Sequence, residues 1–195
     1  MPIQQMLLGV GAVATKTYID DIFSTFLYKG NASARSINNG IDLAAEGGLV
    51  WTKARVDNSY DEHALADTER GIYKELWSNS DAAETSHVQR VTSFNSNGYS
   101  LGTSARYNTD NDDYVSWSFR KAPGFFDVVT YTGNGTAGRT VSHNLGCVPG
   151  FIAIKCTSDA DHWCCYHKSR GGTKFIALDL SNAESTNSNG FNDTT

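Results

Sequence analysis

The chain has 195 residues and a formal net charge of −5, from 16 basic and 21 acidic side chains. Its length allows one β-rich domain or two small ones. The acidic balance argues against binding to nucleic acid or to an anionic membrane, because phosphate groups need a basic surface. Gly, Ser, Thr and Asn supply 70 of the 195 residues, which is typical of short strands joined by turns and disfavours a helical bundle.

The first 21 residues are predicted to form an N-terminal arm. Its longest apolar run, residues 6–14, is too short to cross a bilayer. A secretory signal is the less favoured interpretation, because no basic residue precedes the run. We expect the arm to anchor the chain to another protein by burying four apolar side chains, Leu7, Leu8, Val10 and Val13.

Alternating apolar and polar residues predict strands at residues 22–28 and 114–119, with a further short strand at 48–53. In the strand at 114–119 we expect Val115, Trp117 and Phe119 to face the core. Their neighbours Tyr114, Ser116 and Ser118 are then expected to face outward. Residues 67–77 are the one stretch with a helix-like pattern.

Asn-Gly pairs indicate tight turns, because glycine readily adopts the positive φ that hairpin turns require. Such pairs stand at residues 39–40, 97–98, 134–135 and 189–190. They separate the predicted strands in both halves of the chain.

Four short motifs recur in the same order along the chain, which indicates an internal repeat. Residues 28–31, 48–53, 70–71 and 95–99 match residues 131–134, 150–155, 170–171 and 187–191. The sequence therefore predicts an all-β fold of two tandem antiparallel β-sandwiches. The arm covers 1–21, repeat 1 covers 22–122 and repeat 2 covers 125–195. Repeat 2 ends before a counterpart of the strand at 114–119, so we expect further residues or a neighbouring subunit to complete it.

The cysteines do not form a convincing metal site. In a strand, Cys164 and Cys165 point to opposite faces, so only one of them can join His162 in a zinc site that needs about four convergent ligands. We expect reduced thiols and no metal or other cofactor.

Candidate catalytic groups lack partners at useful spacings. His143 has no matching nucleophile or acid, so a turn-capping role is favoured. The acidic residues 110–113 lack the glycine and later glutamate of a calcium loop. A glycosidase needs two carboxylates across a cleft, and the sequence does not pair any two of the four candidates, Glu62, Glu69, Glu75 and Glu84. We therefore expect no enzymatic activity.

Three aromatic residues are the candidates for sugar contacts, since flat rings with a polar group stack on pyranose faces. They are Trp77, Tyr107 and Trp163. The alternative for each is a place in the core or in a subunit contact, where most large aromatic side chains lie.

Two stretches carry a resemblance to a known group of proteins. Residues 125–135 begin Phe125-Phe126-Asp127, and residues 141–150 contain His143-Asn144-Leu145-Gly146 followed by Pro149. Together with the opening residues 1–9 and 17–21, they resemble tail proteins of marine and cyanobacterial phages. The shared domain has a concanavalin A-like character and no assigned chemistry, so the resemblance implies that the two β-sandwiches are concanavalin A-like or jelly-roll-like.

The resemblance implies a virion protein rather than an enzyme. On this basis we expect the N-terminal part of a tail fibre, assembled as a homotrimer in the host cytoplasm and docked to tail adaptor or nozzle proteins. The alternatives are a module that binds a host-surface glycan and a polysaccharide depolymerase. No nucleic-acid partner and no membrane insertion are expected.

Overall fold

The computed structural model describes residues 17–56, 62–187 and 190–191. Thirteen short strands and two single-turn helices follow one another along these residues. In chain order they are α1 Ile19–Ile22, β1 Phe23–Lys29, β2 Arg35–Asn38, β3 Gly48–Ala54, β4 Ala64–Asp67, β5 Lys74–Trp77, β6 Thr85–Ser86, β7 Val91–Asn95, β8 Gly98–Leu101, α2 Ala105–Asn108, β9 Asp113–Arg120, β10 Phe151–Ile154, β11 Cys164–His167, β12 Lys174–Ala177 and β13 Ser185–Thr186.

Two antiparallel sheets form the first unit, residues 19–122. The larger has the order β1-β9-β3-β4-β5-β6 and the smaller has the order β2-β8-β7. They enclose one core, in which Val50 and Tyr114 of the larger sheet meet Ile37, Tyr99 and Leu101 of the smaller. The predictions of an all-β chain and of antiparallel sheets are confirmed.

The faces of β9 are reversed relative to the sequence prediction. Tyr114, Ser116 and Ser118 are fully buried, and Tyr114 belongs to the core between the sheets. Trp117 and Phe119 lie on the outer face instead, where their rings contact those of Trp51 and Phe23. The prediction was wrong because β9 has aromatic side chains on both faces, Tyr114 on the inner face and Trp117 and Phe119 on the outer, so hydrophobicity alone does not identify its inner side.

The helix predicted at residues 67–77 is also wrong. Strand β4 ends at Asp67 and a turn leads into β5, which begins at Lys74. The Asn-Gly pair at 97–98 joins β7 to β8 as predicted. Gly98 has φ +124, and a Cβ there would lie 2.0 Å from the Ile37 carbonyl oxygen, so the position requires glycine.

The second unit, residues 125–191, contains one four-stranded antiparallel sheet, β10-β11-β12-β13. No helix or strand occurs between residues 127 and 150, so the Asn-Gly pair at 134–135 joins no strands. The predicted second sandwich is therefore not seen in the described part of the chain, because these residues provide strands for one sheet only.

The pairing of strands in the first unit recurs in the second. Leu65 pairs with Leu76 and Glu75 with Thr85, while Cys165 pairs with Ile176 and Phe175 with Ser185, so every number rises by 100. Likewise Trp51 pairs with Leu65, and Ala153 with Cys165. The four-stranded order β3-β4-β5-β6 thus has the same pairing as β10-β11-β12-β13.

Two of the four sequence matches do not correspond in the structure. Residues 28–29 end strand β1, whereas residues 131–134 have no strand. The backbone N–H of Asn187 donates to the Thr173 carbonyl just as that of His87 donates to the Tyr73 carbonyl. Asn187 therefore occupies the position of His87, not that of Asn95.

No helix among the described residues has the length and apolar character that a membrane crossing requires. The four arm residues predicted to anchor the chain, Leu7, Leu8, Val10 and Val13, lie outside the described residues.

Candidate functional site

The two units meet at a junction centred on Trp163, which directly precedes β11. Its side chain is only 7% exposed and forms one apolar cluster with Leu65 of β4 and Leu76 of β5. Leu49 and Trp51 pack at the margin of this cluster. All four partners lie on the outer face of the larger sheet, so the second unit covers a face that the first unit leaves open.

Hydrogen bonds fix the same loop to the first unit at three points. The indole N–H of Trp163 donates to the Trp77 carbonyl oxygen at 2.8 Å. The backbone N–H of Glu84 donates to the Thr157 carbonyl oxygen, and that of Asp161 donates to the Asp81 carbonyl oxygen, both at 2.9 Å. The junction therefore combines apolar burial with directional bonds, which gives it a defined geometry.

Asp179 holds the Trp163 loop from within the second unit. One carboxylate oxygen accepts from the Trp163 backbone N–H at 3.0 Å, and the other lies 2.6 Å from Nδ1 of His162. The hydrogen bond with Asp179 raises the pKa of His162. Partial burial alone would raise the pKa of Asp179, but the bonds from His162 and from the backbone lower it.

We expect the second unit to lose stability as the pH rises through the raised pKa of His162. A raised folded-state pKa stabilises the fold while the imidazole is protonated, so the contribution is fully present below about pH 6.5 and lost above the folded value. The measurement is the urea midpoint of the chain at pH 6 and at pH 8. His162→Gln is the control, and in this variant the urea midpoint should differ less between pH 6 and pH 8 than in the wild type. If the difference between the two midpoints were unchanged in the variant, His162 would not be the group responsible.

A buried carboxylate lies beneath the junction. Glu75 of β5 is fully enclosed, and its Oε1 lies 3.0 Å from Nη1 of Arg90 and accepts from the Trp77 indole N–H at 2.5 Å. Its Oε2 accepts from the Tyr107 hydroxyl at 2.6 Å. Burial first, and then the Glu75 charge, raises the pKa of Tyr107 well above its usual value, so the hydroxyl stays a donor.

The structure brings the three predicted sugar-contact residues together, but it leaves little of them accessible. Tyr107 is 1% exposed and belongs to the core, and Trp163 is buried at the junction. Neither ring offers a free face to a pyranose. Trp77 is partly buried, and the guanidinium of Arg106 lies over its ring at 5.0 Å from the centroid. Trp77 alone keeps some surface.

An ion cluster beside the junction was missed from the sequence. Nη1 of Arg70 lies 3.3 Å from Glu84, and Nζ of Lys74 lies 3.1 Å from the same carboxylate. The second unit repeats the cluster with Arg170, Lys174 and Glu184, where Nε of Arg170 lies 2.5 Å from Glu184. The sequence did contain a signal for this cluster, because each of its three residues recurs 100 positions later. The sequence analysis matched only Arg70 with Arg170.

The four glutamates considered for catalysis each lie in an ion pair. Glu62 pairs with Arg106, Glu69 with Lys121, Glu75 with Arg90, and Glu84 with Arg70 and Lys74. Each of the four carboxylates therefore has a basic partner in the fold.

All four cysteines are free thiols. Cys164 and Cys165 are neighbours on β11, and only Cys165 is fully buried. Burial raises the pKa of Cys165 to about 11, which leaves it protonated and unreactive. Among the described residues, no group of three or more His, Cys, Asp or Glu side chains could hold a metal ion.

Two shallow depressions lie on the surface of the described residues, one on each unit. An open depression of about 530 Å³ lies on the first unit between the loop around Glu46 and residues 92–94. A more apolar groove of about 200 Å³ lies on the sheet of the second unit, between Phe151, Cys165 and Ile176.

Comparison with known proteins places nearly the whole chain in one family. Residues 19–195 match the family described as Domain of unknown function (DUF7483). The chain belongs to this family. No curated protein and no solved structure matches it. The matched residues include both units and the junction, so the DUF7483 domain contains the complete interface described above.

Proposed function

We propose that this DUF7483 protein is a structural component of a phage tail fibre, the N-terminal part that attaches to the tail and supports host adsorption. The observation that carries the proposal is the junction at Trp163, where one sheet unit is fixed on the outer face of another. Units joined in this way build an extended body without needing a cavity for a small substrate.

The proposal includes a duplication of the four-stranded unit. The strand pairing of β3-β4-β5-β6 recurs in β10-β11-β12-β13, with a spacing of 100 residues for the last three strands and 102 for the first, and the Arg-Lys-Glu cluster recurs with it. Two tandem repeats account for both facts. A homotrimer, a tail adaptor or nozzle as the docking partner, and a place in the virion complete this proposal.

A glycan-binding module is the second candidate, and one observation favours it. Trp77 is a partly buried indole next to a guanidinium, an arrangement that presents apolar area beside hydrogen-bond donors. Replacing Trp77 with alanine and measuring binding to a glycan array tests this role. Loss of a reproducible glycan signal in the variant would support it, and a wild-type protein that binds no glycan would contradict it.

We expect removal of residues 1–14 to abolish incorporation into phage particles while leaving the two units folded. Isolated apolar arms gain stability only by docking on another surface. The measurement is the amount of protein in purified particles, with far-UV circular dichroism of the truncated chain as the folding control. Normal occupancy of the truncated chain would contradict the anchoring role, and labelling of a tail appendage by an antibody against the chain would support the virion assignment.

A further inference from the structure

One face of the second sheet is apolar and carries exposed side chains around the buried Cys165. Ala153, Cys165 and Ile176 form a row across three neighbouring strands of this face. Phe151, on the same face, is 57% exposed, and Ile176 is 44% exposed. The groove of about 200 Å³ runs along this row. Exposed apolar patches of this kind mark interaction surfaces more often than chance.

This face is the counterpart of the one that the Trp163 loop covers on the first unit. By strand pairing, Cys165 and Ile176 occupy the positions of Leu65 and Leu76. Ala153 and Phe151 occupy those of Trp51 and Leu49. All four counterparts in the first unit pack around or beside the Trp163 indole. The first unit therefore shows what such a face contacts: the loop in front of the second strand of a unit of the same kind.

The polar part of the junction also has a counterpart. The backbone N–H of Glu84 donates to the incoming loop at Thr157. Glu184 lies at the equivalent position, and no described residue accepts a hydrogen bond from its backbone N–H. The second unit thus repeats a donor of the junction as well as its apolar surface.

We propose that the exposed face of the second sheet binds the first unit of a second copy of this chain, with His63 of that copy seated over Cys165 and Ile176. His63 directly precedes β4 as Trp163 directly precedes β11, and it is a partly buried aromatic ring. The contact repeats the position of Trp163 in the internal junction and joins the two copies head to tail.

A head-to-tail contact is heterologous, so copies related by a closing rotation form a ring and others form a filament. Three copies in a closed ring would give the homotrimer of the proposed function. The inference rests on the self-assembly part of that proposal and names the surface responsible.

The experiment is sedimentation velocity of the full chain over a range of concentrations. We expect the wild type to self-associate and Ile176→Lys to weaken association by about tenfold or more, because a lysine placed in an apolar contact loses its hydration. Phe151→Lys is a second variant of the same face. The matched control is Leu27→Lys, which changes a 58% exposed leucine on the corresponding face of the first unit, away from Trp163. Melting curves establish that each variant is folded.

A mixture of two variants tests the head-to-tail geometry. Ile176→Lys lacks the face and His63→Asp lacks the docking group, so each variant by itself should associate at least about tenfold more weakly than the wild type, while the mixture forms a dimer of wild-type affinity. If His63→Asp associated by itself and Ile176→Lys did not, the contact would be a symmetric face-to-face one, which would overturn the inference. If each variant associated by itself as strongly as the wild type, self-association would use another surface, which would also overturn the inference. A wild type that stays monomeric at high concentration would overturn both this inference and the assembly part of the proposed function.

Discussion

Replacing Trp163 with alanine should lower the free energy of unfolding of the second unit by about 3–5 kcal/mol, the usual cost of truncating a buried aromatic side chain. The indole is 7% exposed and fills the space above Leu65 and Leu76. Its loss leaves these two leucines facing water or a cavity and removes the hydrogen bond to the Trp77 carbonyl. Urea denaturation followed by far-UV circular dichroism measures the effect.

Two control variants separate the contributions to this loss. Trp163→Phe keeps most of the apolar contact and removes the N–H donor, so it should cost about 1 kcal/mol for the hydrogen bond plus a smaller packing term. Phe151→Ala changes a ring that is 57% exposed and should stay within about 0.5 kcal/mol of the wild type in the monomer. If Trp163→Ala lowered the free energy of unfolding as little as Phe151→Ala, the junction would not be what stabilises the second unit.

Replacing Glu75 with alanine should destabilise the first unit by about 3–5 kcal/mol, because it leaves the buried Arg90 charge without its partner. The Tyr107 hydroxyl and the Trp77 indole N–H lose their acceptor at the same time. Thermal and urea unfolding of the variant measure the loss. The surface control is Glu69→Ala, which breaks the ion pair with Lys121 and should cost about 0–1 kcal/mol.

A double variant tests whether the charge, rather than the packing, causes the loss at Glu75. Glu75→Leu combined with Arg90→Met removes both buried charges, and apolar replacements of a buried ion pair are often neutral. We expect the double variant to be more stable than Glu75→Ala. If it were less stable, the unpaired Arg90 charge would not be the cause of the loss in Glu75→Ala.

Local patterns in the sequence determined the β character of the chain and several of its turns. The strands at 22–28 and 114–119 follow from period-2 alternation, which reflects the backbone geometry of a single strand. The Asn-Gly turn at 97–98 follows from the conformational freedom of glycine. The match of Arg70 with Arg170 pointed to two strand sets that have the same pairing, because both residues stand at the same place in equivalent turns.

Only the tertiary structure decided which face of a strand is inside and what covers the other. Hydrophobicity predicts that Trp117 and Phe119 are core residues. In the structure they lie on the outer face, and Ser116 and Ser118 face the interior. Nothing local distinguishes the two faces when both carry aromatic side chains. Trp163 and Tyr107 were equally ambiguous, since an aromatic ring suits a sugar platform and a core alike.

The ion pairs illustrate the same division. The sequence contains Glu75 and Arg90 as two charges in polar surroundings, and no spacing rule for a strand joins them. Their pairing at 3.0 Å results from the turn at residues 87–90, which brings the chain back to the start of β5, and burial then makes the pairing obligatory. Local chemistry therefore determined which strands and turns form, whereas the packing of sheets and units decided which side chains meet, because those contacts join residues distant in the chain.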